Sequence, residues 1–338
     1  MSVRACLRAI ASYLPEGRLT NEMIVDRYGG EWTAEKVFEK TGIRSRRVAS
    51  EGEFCSHMAV KAAKALFAQD PSFGSDIDLL VLATVTPDYL VPLTAALIHD
   101  ELGLSRSAPS FDVTHGCAGY VYGLDIVSAF IESGRAKKAL LLTSDTFTHC
   151  TEHSEQSART IFGDGASASL IEARDPGAPL EQGAWIQAAE NCVDGSGAKH
   201  LKVATGGARG WVGSETSPTG QPALVMDGAE VFSFTMKVVA PHIREFLASR
   251  SLEVSDISLF VFHQANLFMM EHLRKRLRIQ DEQFVVRIED VGNTISTSIP
   301  LALETALREG RVQPGAKVLL TGFGVGFAWG SVLLEYAG

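Results

Sequence analysis

The sequence lacks any unbroken apolar run approaching the roughly 18 residues that a membrane helix requires. Its first ten residues, MSVRACLRAI, place Arg4 and Arg8 inside the apolar stretch, so neither a membrane span nor a secretory leader is expected. Cysteine is sparse: five in 338 residues, at 6, 55, 117, 150 and 192, with no CxxC and no Cys/His metal spacing. That argues against a disulfide framework or a bound metal and fits free thiols in a reducing cytoplasm. Basic residues are outnumbered, 31 Lys and Arg against 40 Asp and Glu, giving a net charge of −9, and a nucleic-acid partner is not expected. The one dense cationic run, Arg274, Lys275, Arg276 and Arg278, has helical spacing and reads first as a solvated helix face.

The composition that is present, 46% hydrophobic and 21% charged, is that of an ordinary globular chain, and its length allows about two domain-sized units. Self-similarity divides it. SDIDLLVL at 75–82 matches SDISLFVF at 255–262 at five of eight positions, KKALLLTSD at 137–145 resembles GAKVLLTGF at 315–323, and GASASLIE at 165–172 resembles WGSVLLEY at 329–336. Short apolar runs bounded by Gly, Asp or Ser and alternating with helical patterns predict buried strands in α/β layers. A duplicated α/β unit follows, with halves 1–173 and 174–338. Residues 174–225 carry Gly and Pro throughout (RDPGAP, DGSGAK, TGGARG, SPTGQP) and read as a loop-rich insertion facing substrate.

Candidate chemistry sits where strands end. In SFDVTHGCAGYVYGL a strand ends near Thr114, Gly116 makes a tight turn and a helix begins at Cys117. A thiol at a helix N-terminus gains thiolate character, which makes Cys117 a candidate nucleophile. His263 follows four apolar residues in SLFVFHQAN, at the carboxyl end of a strand. Asn293 follows Gly292 and precedes an apolar helical pattern. The Gly-rich run LLTGFGVGFAWGS at 319–331 lets backbone approach a reacting atom; it leads into a strand, so it is no dinucleotide fingerprint.

At these residues the chain resembles the thiolase-fold condensing enzymes, specifically the β-ketoacyl-acyl-carrier-protein synthase III family. The motifs run through the whole chain: TGIRSRR (41–47), GCAGYVYGL around Cys117, FGDGASA (162–168), MDGAEVF (226–232), HQAN (263–266), GNTISTSIPLAL (292–303) and FGVGFAWGS (323–331). The resemblance implies a five-layer α-β-α-β-α sandwich of two related halves and a homodimer. It implies that Cys117 takes the acyl group from a thioester, with the backbone N–H groups of Cys117 and Val325 as oxyanion hole. His263 and Asn293 would then stabilise the enolate formed when a malonyl thioester loses CO₂. No metal or cofactor is implied, only acyl-CoA or acyl-carrier-protein substrates. Gly228, Phe232, Phe323, Gly324, Gly326, Phe327, Gln156 and Arg159 are the implied substrate contacts, and Arg274, Lys275, Arg276 and Arg278 the docking surface for an acidic carrier protein.

Departures from the family pattern suggest a specialised member. A Trp that stacks on the CoA adenine is replaced by Lys36, its Arg counterpart by Gln156 with Arg159 displaced nearby, and a pantetheine-side Asn by Ala229. The Arg after HQANL is Phe268, and the middle glycine of the FGVGF turn is Val325. Val85 stands where the hydroxymethylglutaryl-CoA synthase and head-to-head relatives carry a Glu. Two other functions fit the same nucleophile less fully: an acyltransferase that moves the acyl group to an alcohol, amine or β-keto acceptor, and a non-catalytic partner subunit of a synthase heterodimer.

Overall fold

The computed structural model describes residues 3–29, 32–151, 154–205, 207–211 and 223–337. Nine strands build the large sheet: β1 (Arg4–Tyr13), β2 (Leu79–Ala83), β3 (Ser110–Val113), β4 (Lys138–Asp145), β5 (Gly165–Arg174), β6 (Ala184–Val193), β7 (Leu259–Phe262), β8 (Lys317–Gly324) and β9 (Ala328–Tyr336). Their spatial order is β7-β8-β9-β6-β1-β5-β4-β2-β3. β1 and β6 join its two parts through only two residue pairs, Cys6 with Trp185 and Leu7 with Ala184.

The two parts have one topology. β2 pairs in parallel with β3 and β4, and β4 pairs antiparallel with β5, which pairs antiparallel with β1. In the second half β7 pairs in parallel with β8, β8 antiparallel with β9, and β9 antiparallel with β6. The place of β3 is taken by a parallel bridge from Phe260 to Phe284. The three string matches thus fall on equivalent strands, but two of them are displaced by one residue. Val81 pairs with Leu141 and its counterpart Val261 pairs with Leu320, so Leu141 corresponds to Leu320; Ser169, opposite Leu141, corresponds to Val332, opposite Leu320. A one-residue slip would turn every side chain to the wrong face.

That facing explains the strand sequences. Leu79, Val81, Leu259, Val261, Val318 and Leu320 face one inner core, together with helix α3 (Gly119–Glu132) and helix α7 (Ser298–Arg308). The alternate residues Leu80, Leu82, Leu140 and Leu142 face outward under α1 (Cys55–Gln69) and α2 (Thr94–Glu101). Phe260, Phe262, Leu319 and Phe323 face the opposite outer core, under α4 (Gly228–Phe234), α5 (Ala240–Ala248) and α6 (Leu267–Leu277). Helices on both faces leave no solvated face, so the strands read as continuous apolar runs. The result is the five-layer α-β-α-β-α arrangement. The segment 174–225 requires a correction: it holds the ten-residue strand β6, the counterpart of β1, whose sequence AWIQAAENCV is too weakly alternating to announce itself.

The halves also interlock at main chain. Gly163 N–H donates to the Asn293 carbonyl (2.9 Å) and Asn293 N–H to the Ile161 carbonyl (2.9 Å). Gly163 is required by this approach, since a Cβ there would lie 2.2 Å from the Val291 carbonyl oxygen. Gly163→Ala is expected to lower Tm by about 5 °C or more, read by thermal denaturation; an unchanged Tm would mean the seam yields freely.

Candidate active site

The nucleophile candidate lies in the turn between β3 and α3. Gly119 N–H donates to the Gly116 carbonyl at 2.7 Å, and the helix starts at Gly119, two residues later than expected. Cys117 is only 7% exposed. The expected thiolate character is reversed: burial pushes the thiol up to about 12, against the pull of the Val325 and Cys117 backbone N–H groups. Those two N–H groups are the ones implied as oxyanion hole, and both favour negative charge at the sulfur. Gly324 makes room for it, because a Cβ there would meet Cys117 Cβ at 2.7 Å and Sγ at 2.8 Å.

His263 leaves the end of β7, held by its N–H on the Thr321 carbonyl (2.8 Å). It is buried, and burial holds the imidazole down at about 3, so it is neutral at any ordinary pH. Its Nδ1 lies 2.7 Å from Ser298 Oγ, which is also 2.8 Å from the Ile295 carbonyl oxygen. The hydroxyl has one proton for two acceptors, so its rotation selects which imidazole nitrogen carries the ring proton.

Asn293 sits five residues before α7 and is fixed by the main-chain seam described above. Its Oδ1 accepts from Ile295 N–H at 3.0 Å, which turns the amide nitrogen toward His263 Nε2 (3.4 Å) and the Ala265 carbonyl (3.3 Å). Ile295 itself is held at φ 54°, an uncommon conformation for a β-branched residue.

These groups share a cavity of about 210 Å³. Cys117, His263, Asn293, Gly324 and Val325 line one end, while Phe147, Phe162, Leu201, Leu224, Met226 and Met269 form an apolar wall. Val85 also faces it and adds to the apolar lining. Such a space suits an apolar acyl chain with a few polar groups at its reactive end.

Several implied contacts lie elsewhere. Phe323 and Gly324 line the cavity, but Gly326 and Phe327 do not; Phe327 stacks on Phe234 at 4.3 Å within the outer core. Gly228 starts α4, and Phe232 packs against Phe268 (5.7 Å) and His272 (5.5 Å) of α6. Gln156 and Arg159 belong to a four-residue helix, with the Arg159 guanidinium 4.3 Å over the Tyr28 ring. Arg274 is not a free surface cation: it pairs with Glu271 (2.9 Å) and Asp281. Lys275, Arg276 and Arg278 are exposed.

The apolar wall was not anticipated. Leu201 and Leu224 come from the small antiparallel strand pair of Leu201–Val203 and Leu224–Met226, in the Gly/Pro-rich stretch, where no periodicity marks them. Ser298 and Ile295 were signalled only by the hydroxyl-rich run NTISTS.

Two measurements test the electrostatics. Iodoacetamide labelling of Cys117 is expected to be slow at neutral pH and to rise about tenfold per pH unit between about pH 7 and pH 10; a plateau near pH 7 would mean an activated thiol. Native His263 resists protonation down to about 3, whereas an unfolded histidine titrates near 6.5. The unfolded state therefore binds the extra proton, and stability is expected to fall as pH drops below about 6.5, with His263→Gln flattening the decline of Tm.

Comparison with known proteins agrees with this geometry. Residues 111–187 match the family 3-oxoacyl-[acyl-carrier-protein] synthase III, and residues 247–336 match its C-terminal family. The chain is 35% identical to the β-ketoacyl-[acyl-carrier-protein] synthase III of Neisseria meningitidis, covering 98% of this chain and 99% of that one. A solved 3-oxoacyl-(acyl-carrier-protein) synthase III superposes with a TM-score of 0.90 at 38% identity, covering 98% and 99% of the two chains. The enzyme of that name from Pseudomonas aeruginosa PAO1 gives 0.87 at 33%, covering 99% of each. A thiolase-type sandwich with a cysteine, a histidine and an asparagine gathered in one cavity, and 35% identity to a β-ketoacyl-[acyl-carrier-protein] synthase III over nearly the full length, make this chain a member of the β-ketoacyl-acyl-carrier-protein synthase III family of condensing acyltransferases.

Proposed function

We propose that Cys117, His263 and Asn293 carry out the two half-reactions of a β-ketoacyl synthase. The observation that carries this reading is their meeting in one cavity from three separate connecting segments. Cys117 Sγ attacks the carbonyl carbon of an acyl thioester. Its proton passes to His263 Nε2, whose lone pair is available when the ring proton sits on Nδ1, and the carrier thiol leaves with that proton. The N–H groups of Cys117 and Val325 stabilise the intermediate oxyanion. A malonyl thioester then binds and its C–C bond to the carboxylate breaks, releasing CO₂. With Ser298 turned to donate to Nδ1, His263 Nε2–H and the Asn293 amide both point donors at the enolate oxygen. The enolate carbon attacks the acyl-Cys117 carbonyl, the Cys117 thiolate is expelled, and a β-ketoacyl thioester results.

The apolar wall supports an acyl donor with a hydrocarbon chain. The altered CoA contacts at Lys36, Gln156 and Ala229 favour a carrier-protein-bound donor, or a CoA ester held differently, in a specialised pathway. Lys275, Arg276 and Arg278 are the cations available to an acidic carrier protein. The position of β3 at the sheet edge among the described residues and the exposed apolar run Tyr89, Leu90, Val91 and Leu93 support a homodimer. Among the described residues no helix is long and apolar enough to cross a membrane, in keeping with cytoplasmic work.

Intact-protein mass spectrometry with a panel of acyl-CoA and acyl-carrier-protein donors, chased with malonyl carrier protein, tests the reading. An adduct on Cys117 that malonyl clears to a β-keto product is expected, with Cys117→Ala folded and inert. Asn293→Ala should load normally but condense about 100-fold more slowly. An adduct that malonyl leaves in place would instead indicate transfer to another acceptor.

A further inference from the structure

Asp145 closes β4 and is fully buried, outside the lining of the cavity. Its carboxylate accepts hydrogen bonds from four uncharged donors: Val85 N–H (2.8 Å), the hydroxyls of Thr84 (3.2 Å) and Thr86 (3.3 Å), and the hydroxyl of Ser296 (2.7 Å). Three donors come from the loop after β2 in the first half and one from the second half. A carboxylate is costly to bury on neutral donors alone, so a purely structural link would be better served by a neutral side chain.

What Ser296 is attached to gives the link its meaning. It directly follows Ile295, whose strained backbone orients Asn293 through its N–H and accepts the Ser298 hydroxyl through its carbonyl. Backbone held at positive φ on a β-branched residue persists only where neighbours over-determine it. The Ser296–Asp145 bond is one such restraint. Burial raises the titration of Cys117, Cys55 and Cys150, and the negative charge of Asp145 adds to it. Burial pushes Asp145 itself up to about 6, so it carries its charge at neutral pH and above.

We infer that Asp145 is a positioning residue for the reaction: through Ser296 it holds the Ile295 turn that aims Asn293 and Ser298. This rests on the proposed roles of Cys117, His263 and Asn293, and deepens them.

Ser296→Ala removes the restraint and leaves the carboxylate in place. Condensation of preloaded acyl enzyme should fall about 100-fold in Ser296→Ala, with loading little changed and Tm within a few degrees. A merely structural role would lower loading, condensation and Tm together, so a parallel fall in all three overturns the positioning role. Parental condensation by Ser296→Ala overturns it as well. The side-chain amide NMR resonances of Asn293 should shift in Ser296→Ala, and unshifted resonances overturn the inference even if no thioester loads Cys117, so failure of the proposed reaction remains distinct from failure of this inference.

Discussion

Everything in this molecule depends on a buried polar seam between its two halves. Thr143 of β4 bonds both Ser167 (2.7 Å) and Thr297 (2.8 Å), and Thr297 reaches the Gly165 carbonyl (3.2 Å). Beside them run the main-chain bonds joining 161–163 to Asn293. Hydrophobic burial explains why five layers stack, but it is non-directional and cannot set one half against the other to within an ångström. The hydroxyl and amide contacts can, since each misplaced partner would leave a buried polar group unsatisfied. Cys117 from the first half and His263 and Asn293 from the second meet in one cavity because this seam permits one docking.

The same burial determines the resting charge state. Cys117 and His263 are both driven toward neutrality, the thiol upward and the imidazole downward. A thiolate–imidazolium pair, common where a cysteine meets a half-exposed histidine, is disfavoured in so dry a site. The proposed attack on a thioester then couples proton transfer to bond formation. In the proposed reaction Cys117 is inert toward adventitious electrophiles and becomes reactive only alongside a carbonyl seated under the two N–H donors.

The sequence made the duplication and the three central residues legible, for physical reasons. Strands covered on both faces are unbroken apolar runs, so SDIDLLVL and SDISLFVF stand out, and functional groups at their carboxyl ends follow at once as polar breaks, as His263 does after LFVF. Register was not legible: Leu140, Leu141 and Leu142 are interchangeable in a string, and only pairing with β2 assigns them to faces. Strand β6 was missed because AWIQAAENCV alternates weakly and lies among glycines. Phe327 belongs by motif with the reactive loop, yet tertiary packing draws it onto Phe234. Arg274 looked like one of four equal cations; Asp281, seven residues on and brought back by the turn after α6, neutralises it. The activation expected of Cys117 from its place before a helix failed because a dipole worth about 1 kcal/mol cannot offset full desolvation of a thiolate.

Val85 follows β2 and Ala265 follows β7, at equivalent places in the repeat, and both face the same cavity. The cavity therefore lies on the approximate two-fold axis that relates the halves. Two identical half-chains meeting across such an axis would have to furnish it symmetrically, every cysteine mirrored by a cysteine. Fusion into one polypeptide removes that obligation. Each copy can drift alone, so that one comes to supply the attacking atom and the other the groups that receive charge, and a space once bound to symmetry becomes able to tell the two ends of a reaction apart.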